Sequence, residues 1–361
     1  MLSRLDRLAY RSQHLSFAVN ATVMQEAARL ISRTPRPALA TSELKAVVRR
    51  LRALHERDLA NVDAGYYPRE LLFDIPFRRY ARALPRLVRD TPRVVRRMRK
   101  GDYQDIPVVD KTRYPAYYRR TFHWQTDGYF SEHSAEVYEL GVELLFRGTA
   151  DVMRRQIIPP ITKFVRSLAH GRHPGPRGSA APGRSRGHDH GGAERVRLLD
   201  VGCGTGRTLH QIARTHPAMH MWGVDLSPAY VRLARKRLAQ VDEVALAVEN
   251  AEHLPFADAT FDVATSVYLF HELPRNARRN VIRELHRVVR PGGLIVLEDS
   301  AQLAESAELA TALHEFPREF HEPFYADYLK DDLAGILREC GFTVTAVESH
   351  LVSKVVVATR P

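Results

Sequence analysis

The chain has 361 residues, of which 44% are hydrophobic, and a formal net charge of +12. This length can bury a substantial core and exceeds one average domain, so we expect two folded parts. The two cysteines, Cys203 and Cys340, imply no disulfide framework, and no apolar run approaches the roughly 20 residues of a membrane-spanning helix, so a cytoplasmic protein is expected.

The charge is divided unevenly along the chain. Residues 1–194 contain 35 Lys or Arg against 20 Asp or Glu, whereas residues 195–361 contain 19 against 22. A basic part joined to a mildly acidic one suggests an acidic partner, such as an anionic membrane, nucleic acid or an anionic substrate.

Residues 1–170 predict a mainly helical domain. Apolar residues recur at helical spacing over residues 42–59 and 131–146. Prolines are expected to divide this part into short helices, namely Pro35, Pro37, Pro85, Pro92, Pro107 and Pro115. Residues 78–100 hold ten basic side chains interleaved with apolar ones, which fits either a solvated helix face or peripheral contact with an anionic membrane.

Residues 171–194 are rich in Gly, Pro and Arg and lack large apolar side chains, so they predict a flexible linker. Four histidines lie in or beside this segment: His170, His173, His188 and His190. Nothing nearby would fix the geometry of metal ligands, so no metal site is expected.

Residues 195–361 alternate β-rich and helical runs, which is typical of a doubly wound α/β domain. Strands are predicted at residues 196–201, 219–224, 244–248, 261–267 and 294–298. Helices are predicted at residues 207–215, 228–240, 276–289 and 331–339. Residues 342–349 and 354–359 predict a closing antiparallel hairpin, because their connection is too short for a crossover.

The sequence LLDVGCGTGRT places Gly202, Gly204 and Gly206 where the first strand turns into a helix. Glycines let the backbone approach a ligand, and the helix start supplies free N–H groups. A dinucleotide fingerprint would have a third glycine at position 207, where this chain has Arg207. This departure argues against a nicotinamide-dependent dehydrogenase.

These residues resemble the class I S-adenosylmethionine-dependent methyltransferases, in which an acidic residue and G-x-G-x-G end the first strand. The motifs GVDLSP, NAEHLPF, SVYLFHELP and RELHRVVRPGG follow in the family's order. The resemblance implies a Rossmann-like, seven-stranded methyltransferase domain over residues 195–361. It also implies S-adenosyl-L-methionine as cofactor.

The resemblance assigns cofactor-binding roles residue by residue. Asp200 and the glycine turn with Cys203 would contact the methionine part, and Asp225 with Leu226 would contact the ribose. Residues near the adenine and below the sulfonium would be Asn250, Ala251, Glu252 and Val267.

Catalytic candidates are His271 and Glu272, since the family's topology brings this loop to the transferring methyl group, and His123 is a third. His271 is the first choice as a general base because an imidazole titrates near neutrality; a packing or capping role is the alternative. An aromatic segment before residue 131 and a second one before the hairpin predict a substrate lid or, equally, a joint between the two parts. Substrate-binding candidates are Tyr118, Trp124, Tyr129, Tyr268 and Tyr325.

Other methyltransferase classes fit less well. The Asn- or Asp-Pro-Pro-aromatic motif of nucleic-acid amino-methylating enzymes is absent, and Glu272 is the only loop glutamate where protein arginine methyltransferases need two. A small-molecule or lipid-like acceptor remains, with greatest similarity to the quinone-biosynthesis C-methyltransferases, and O-, N- and C-methylation stay open. An alternative from another class is a non-catalytic S-adenosylmethionine-binding module whose basic helical half binds a partner or membrane surface.

Overall fold

The computed structural model describes residues 1–32, 39–123, 125–171 and 195–361 of the chain. Pro35, Pro37, Trp124 and residues 172–194 of the predicted linker lie outside the described residues. No helix in these described ranges is both long and apolar enough to cross a membrane.

The N-terminal part is helical, as predicted. Its helices are α1 (Arg4–Ser32), α2 (Thr41–Asp63), α3 (Phe77–Lys100), α4 (Glu132–Leu145), α5 (Ala150–Arg154) and α6 (Ile158–Ala169). Ser131 caps α4 by accepting a hydrogen bond from the Ser134 N–H. A single 3-10 turn, Arg155–Ile157, joins α5 to α6.

The prediction that prolines break this part into short helices is wrong for Pro85 and Pro92. Both lie inside the 24-residue helix α3. Each proline ring is exposed, so water can satisfy the carbonyl group that loses its N–H partner. The opposite face of α3 packs Tyr80 and Ala83 against Leu140 of α4, and this burial holds the helix together across both prolines.

The C-terminal part forms a seven-stranded sheet. The strands are β1 (Arg197–Val201), β2 (His220–Asp225), β3 (Val244–Val248), β4 (Phe261–Val267), β5 (Val289–Ser300), β6 (Thr343–His350) and β7 (Ser353–Thr359). Their order is β3-β2-β1-β4-β5-β7-β6, with β1 to β5 parallel and β7 antiparallel to both of its neighbours. The Rossmann-like sheet and its C-terminal hairpin are therefore confirmed.

The helices of this part are α7 (Arg207–Thr215), α8 (Pro228–Arg237), α9 (Arg275–Val288), α10 (Ala310–Phe320), α11 (Tyr325–Tyr328) and α12 (Leu333–Glu339). Side chains alternate across each strand, so β1 directs Leu198 to one face of the sheet and Leu199 to the other. Helices α9 and α12 cover the face of Leu199.

The face of Leu198 is covered by α7 together with the N-terminal part. Ile157 and Ile161 share one core with Leu198 and with Leu209 of α7. Arg207 at the start of α7 adds a polar connection, because its guanidinium donates hydrogen bonds to Asp151 over 2.8 Å and to Asp74 over 2.9 Å. The two parts are thus packed together along the sheet and beside the glycine-rich turn.

Candidate active site

The glycine-rich turn lies at the carboxyl edge of the parallel strands. Gly202, Gly204 and Gly206 all have positive φ angles, of 70°, 54° and 76°. A Cβ atom on Gly204 would meet no protein atom within 4 Å, whereas one on Gly206 would lie 3.1 Å from Ala234 of α8. Gly204 therefore borders an open crevice, and Gly206 allows α8 to pack closely.

Asp225, the last residue of β2, lies beside Gly204 at the same crevice. Its two carboxylate oxygens accept hydrogen bonds from the Gly204 N–H over 2.9 Å and the Ser227 N–H over 2.8 Å. Burial raises the pKa of Asp225 to about 6 despite these two donors, and the nearby charge of Glu272 acts in the same direction. Each carboxylate oxygen accepts one N–H and keeps a lone pair for a further hydrogen bond. This arrangement suits the two hydroxyl groups of a ribose.

The residues around Gly204 and Asp225 can accommodate a nucleoside cofactor. The open side of Gly204 leaves room beside the backbone, and the carboxylate of Asp225 can accept ribose hydroxyls at the same place. Asn250 Oδ1 accepts a hydrogen bond from the Glu252 N–H over 2.9 Å, which fixes the turn after β3 where the adenine would lie.

Other predicted cofactor residues occupy different layers around the crevice. Asp200 is buried between β1 and β4, where the Thr265 hydroxyl donates to it over 2.7 Å, and burial raises the pKa of Asp200 to about 7. The Cys203 thiol is buried in the core, so only its backbone borders the turn. The remaining residues are half-buried, namely Leu226, Ala251, Glu252 and Val267.

His271 lies in a 3-10 turn, Phe270–Glu272, that follows β4. Its Nδ1 atom is 2.6 Å from Oδ1 of Asp299 near the end of β5, and both side chains are almost fully buried. Burial opposes a charge on this imidazole, but Asp299 and the nearby glutamates outweigh it and raise the pKa of His271 to about 9. Asp299 also accepts the Phe270 N–H over 2.6 Å, so one carboxylate orients both the turn and its histidine.

The aromatic segment before α4 covers this loop. The Tyr129 hydroxyl donates to Glu272 Oε1 over 2.5 Å, and His123 Nε2 lies 2.9 Å from the same oxygen. The Tyr129 carbonyl accepts a hydrogen bond from the Ser227 hydroxyl, next to Asp225. The structure therefore brings His123, Glu272 and Tyr129 together with His271 in one buried group.

The other predicted substrate residues are spread around this group. The rings of Tyr118 and Tyr129 are stacked with centroids 5.7 Å apart. Tyr325 is buried beside His271, and its hydroxyl lies 2.5 Å from the Ser300 hydroxyl. Tyr268 stacks on Phe146 of the N-terminal part. Trp124 lies outside the described residues.

Sequence reasoning missed two acidic members of this group, Asp299 and Glu322. Asp299 is near the carboxyl end of β5, where side chains of a parallel sheet face the ligand edge, so its position in LEDSA could have identified it. Glu322 follows α10, and its fully buried carboxylate forms an ion pair with Nδ1 of His123. No local pattern predicts that pairing, because the two residues are distant in sequence.

Comparison with known proteins places the site in a family. Residues 198–293 match a family model described as a methyltransferase domain. A demethylmenaquinone methyltransferase of Tropheryma whipplei is 30% identical over 168 residues, which cover 41% of this chain and 67% of that protein. The chain belongs to the class I S-adenosylmethionine-dependent methyltransferases.

Other relatives are similar over a comparable share of this chain. A malonyl-[acyl-carrier protein] O-methyltransferase of Geobacter sulfurreducens is 32% identical, over 42% of this chain and 57% of that protein. A 27-O-demethylrifamycin SV methyltransferase of Amycolatopsis mediterranei is 35% identical, over 42% of this chain and 56% of that protein. The chain thus spans little more than half the length of these two relatives.

Among solved structures, a SAM-dependent methyltransferase from Methanosarcina mazei is similar with a TM-score of 0.38 and 22% identity, over 46% of this chain and 93% of that one.

Proposed function

We propose that this protein transfers the methyl group of S-adenosyl-L-methionine to an oxygen atom of a small-molecule or lipid-like acceptor. The observation that carries the proposal is the buried His271–Asp299 pair, which lies at the same sheet edge as Gly204 and Asp225. An acceptor hydroxyl must lose a proton, whereas a neutral amine needs no base for the transfer itself. The names of the Geobacter and Amycolatopsis relatives support an oxygen acceptor.

The first contribution of the chain's own residues is to position the cofactor and the acceptor. When bound, the cofactor supplies an electrophilic methyl group on a sulfonium. The backbone around Gly204 and the carboxylate of Asp225 would hold its nucleoside, while the buried residues of the loop after β4 exclude water. Alignment of two reactants in this way can contribute roughly 7–11 kcal/mol to lowering the barrier.

The second contribution is proton acceptance at Nε2 of His271. Asp299 accepts the Nδ1 proton, so the neutral imidazole carries its lone pair on Nε2. The cofactor would supply the methyl carbon and would retain the electron pair of its carbon–sulfur bond on sulfur. Nε2 of His271 would accept the proton that the acceptor hydroxyl loses as its oxygen takes the methyl group. The pKa of His271 is about 9 in the protein alone, and the positive charge of a bound sulfonium would disfavour the imidazolium and lower that pKa.

We further propose that residues 114–123 and 125–130 act as a lid over the acceptor. Tyr129 and His123 contact Glu272, and the Tyr117 hydroxyl donates to Glu252 over 2.7 Å. These contacts join the N-terminal part to both loops that flank the crevice. Tyr129→Phe, which removes one hydroxyl, should weaken acceptor binding more than cofactor binding; equal effects on both would reject a lid.

The transfer itself is tested with isotope-labelled S-adenosylmethionine and a low-mass metabolite extract. We expect a labelled low-mass product whose formation is reduced at least about a hundredfold in His271→Asn, the lower range for loss of a general base. His314→Asn is the matched control because His314 is exposed on α10. Cofactor binding without any labelled product would instead favour the non-catalytic binding module.

A reducing, cytoplasmic location is also proposed, because the thiols of Cys203 and Cys340 are free.

Peripheral contact with anionic lipid is a separate proposal. Helix α3 exposes Arg82, Arg89 and Arg96 to solvent. Such a surface attracts anionic head groups with about 1 kcal/mol for each basic residue. Sedimentation with phosphatidylserine vesicles should be lost when these three arginines are changed to glutamine; unchanged sedimentation would reject the contact.

A further inference from the structure

Three side chains from separate parts of the chain converge beside the proposed acceptor site. His123 comes from the segment before α4, His271 from the turn after β4, and Glu322 from the segment after α10. One nitrogen of each histidine and one carboxylate oxygen of Glu322 all lie within 4.8 Å of one another. This cluster was not expected from the sequence, where the histidines of the linker gave the only metal-site candidate.

Both histidines have the outer contacts typical of metal ligands. A histidine that binds a metal usually donates its other ring N–H to a carboxylate or carbonyl oxygen, which fixes the ring. Here Nδ1 of His271 is 2.6 Å from Asp299, and Nε2 of His123 is 2.9 Å from Glu272. The remaining nitrogens, Nε2 of His271 and Nδ1 of His123, are therefore the ones available inside the cluster.

Glu322 is the third potential ligand and has an unusual environment. Its side chain has 0% exposure. Apart from its ion pair with Nδ1 of His123, the carboxylate has no hydrogen-bond partner among the described residues. A buried carboxylate normally gains hydrogen bonds or a metal, since burial without them is costly.

We propose that His123, His271 and Glu322 form a binding site for a divalent transition-metal ion such as Zn²⁺. Two imidazoles and one carboxylate favour ions of this kind over Mg²⁺ or Ca²⁺, which prefer oxygen ligands. Three protein ligands leave at least one coordination position open, as in catalytic zinc sites.

The consequence for catalysis rests on the proposed function, whereas metal binding itself does not. An ion bound to Nε2 of His271 takes up the lone pair that would accept the proton. The open position would hold the acceptor oxygen instead, and the ion would lower the pKa of that hydroxyl group. Metal-loaded and metal-free protein would therefore activate the acceptor in two mutually exclusive ways at one nitrogen.

The test measures metal binding by the full chain without cofactor or acceptor. His173, His188 and His190 are first changed to alanine, because these linker histidines could bind Zn²⁺ by themselves. Chelator-treated protein is then titrated with Zn²⁺ and Mg²⁺ by calorimetry, and with Co²⁺ by visible absorption. We expect one Zn²⁺ per chain, a tetrahedral or five-coordinate Co²⁺ spectrum, and no binding of Mg²⁺ at the same concentrations.

Two variants assign the ligands. Glu322→Gln and His123→Ala should each weaken Zn²⁺ binding at least about tenfold, while His314→Ala should bind like the parent protein. Unfolding curves and binding of S-adenosylhomocysteine show that each variant is folded. No Zn²⁺ binding by the parent, or unchanged binding in Glu322→Gln, would overturn the site and leave methyl transfer by the His271–Asp299 pair unaffected.

Discussion

The carboxylate of Asp225 should make nucleoside binding depend on pH. In the free protein burial raises its pKa to about 6, and ribose hydroxyls would donate to the charged form and lower that pKa to its ordinary value near 4 or below. The nucleoside therefore binds the deprotonated protein more tightly. Linkage with a free pKa of about 6 gives an affinity about tenfold lower at pH 5 than at pH 7.

The assay is calorimetric titration with 5′-methylthioadenosine, which keeps the ribose and adenine but lacks the charged amino-acid part. Asp225→Asn is the perturbation. It removes the titrating group, and one of the N–H donors of Gly204 and Ser227 then faces an amide NH₂ group instead of an oxygen. The ribose hydroxyls would also lose their charged acceptor. A hydrogen bond to a charged group contributes about 1.5–3 kcal/mol, so the variant should bind the nucleoside at least about tenfold more weakly at pH 7.

The pH dependence separates this role from a general loss of structure. Asp225→Asn should show a flat affinity between pH 5 and pH 7, while the exposed control Asp258→Asn should behave like the parent. A parent protein that binds the nucleoside equally at both pH values would refute the reasoning, as would a variant that keeps the tenfold change.

Three further predictions follow from buried contacts. Gly204→Ala should weaken S-adenosylhomocysteine binding, and its only cost in stability should be the strain of alanine at a positive φ. Gly206→Ala should lower the melting temperature more, because its Cβ would also lie 3.1 Å from Ala234. Calorimetry measures the binding, and thermal unfolding measures the stability. Asp58→Ala should reduce the free energy of unfolding by about 3–5 kcal/mol, because Asp58 is buried and pairs with the buried Arg155; urea unfolding with the exposed Asp258→Ala as control checks this. Asp299→Asn should remove a pH-dependent stabilisation of about 3 kcal/mol, since the His271 pKa of about 9 lies above its unfolded value: parent and variant should differ most below pH 6.5, and the difference should shrink as pH rises through 9. Equal differences in urea unfolding at both ends of that range would contradict the last prediction.

The sheet was predictable because its signals are local. The strands over Val244–Val248 and Phe261–Val267 and the helix Arg207–Thr215 have the bounds that the sequence predicts. Each is a short run whose composition and turn residues indicate one state without reference to the rest of the chain. The glycine turn and Asp225 are local in the same sense, because each ends a strand.

The N-terminal part was predicted less completely because its packing is not local. Helix α3 continues through Pro85 and Pro92, since tertiary burial against α4 outweighs the local cost of each exposed proline. Ile161 and Leu198 share one core although they are far apart in the sequence, so this contact is not local either. Helical spacing shows that an apolar face exists, but it does not show which surface will cover it.

The acidic residues around His271 show why the active site was the part of the protein least predictable from the sequence. Glu272, Asp299 and Glu322 come from three segments, and their convergence on two histidines raises the pKa of His271 to about 9 and that of His123 to about 10 against the opposing effect of burial. In the protein alone these imidazoles are therefore mostly protonated at neutral pH. Both proposed uses of His271, as proton acceptor and as metal ligand, require the neutral ring. A positive charge in the crevice, from a bound sulfonium or a metal ion, would increase the neutral fraction of His271 that both chemistries need.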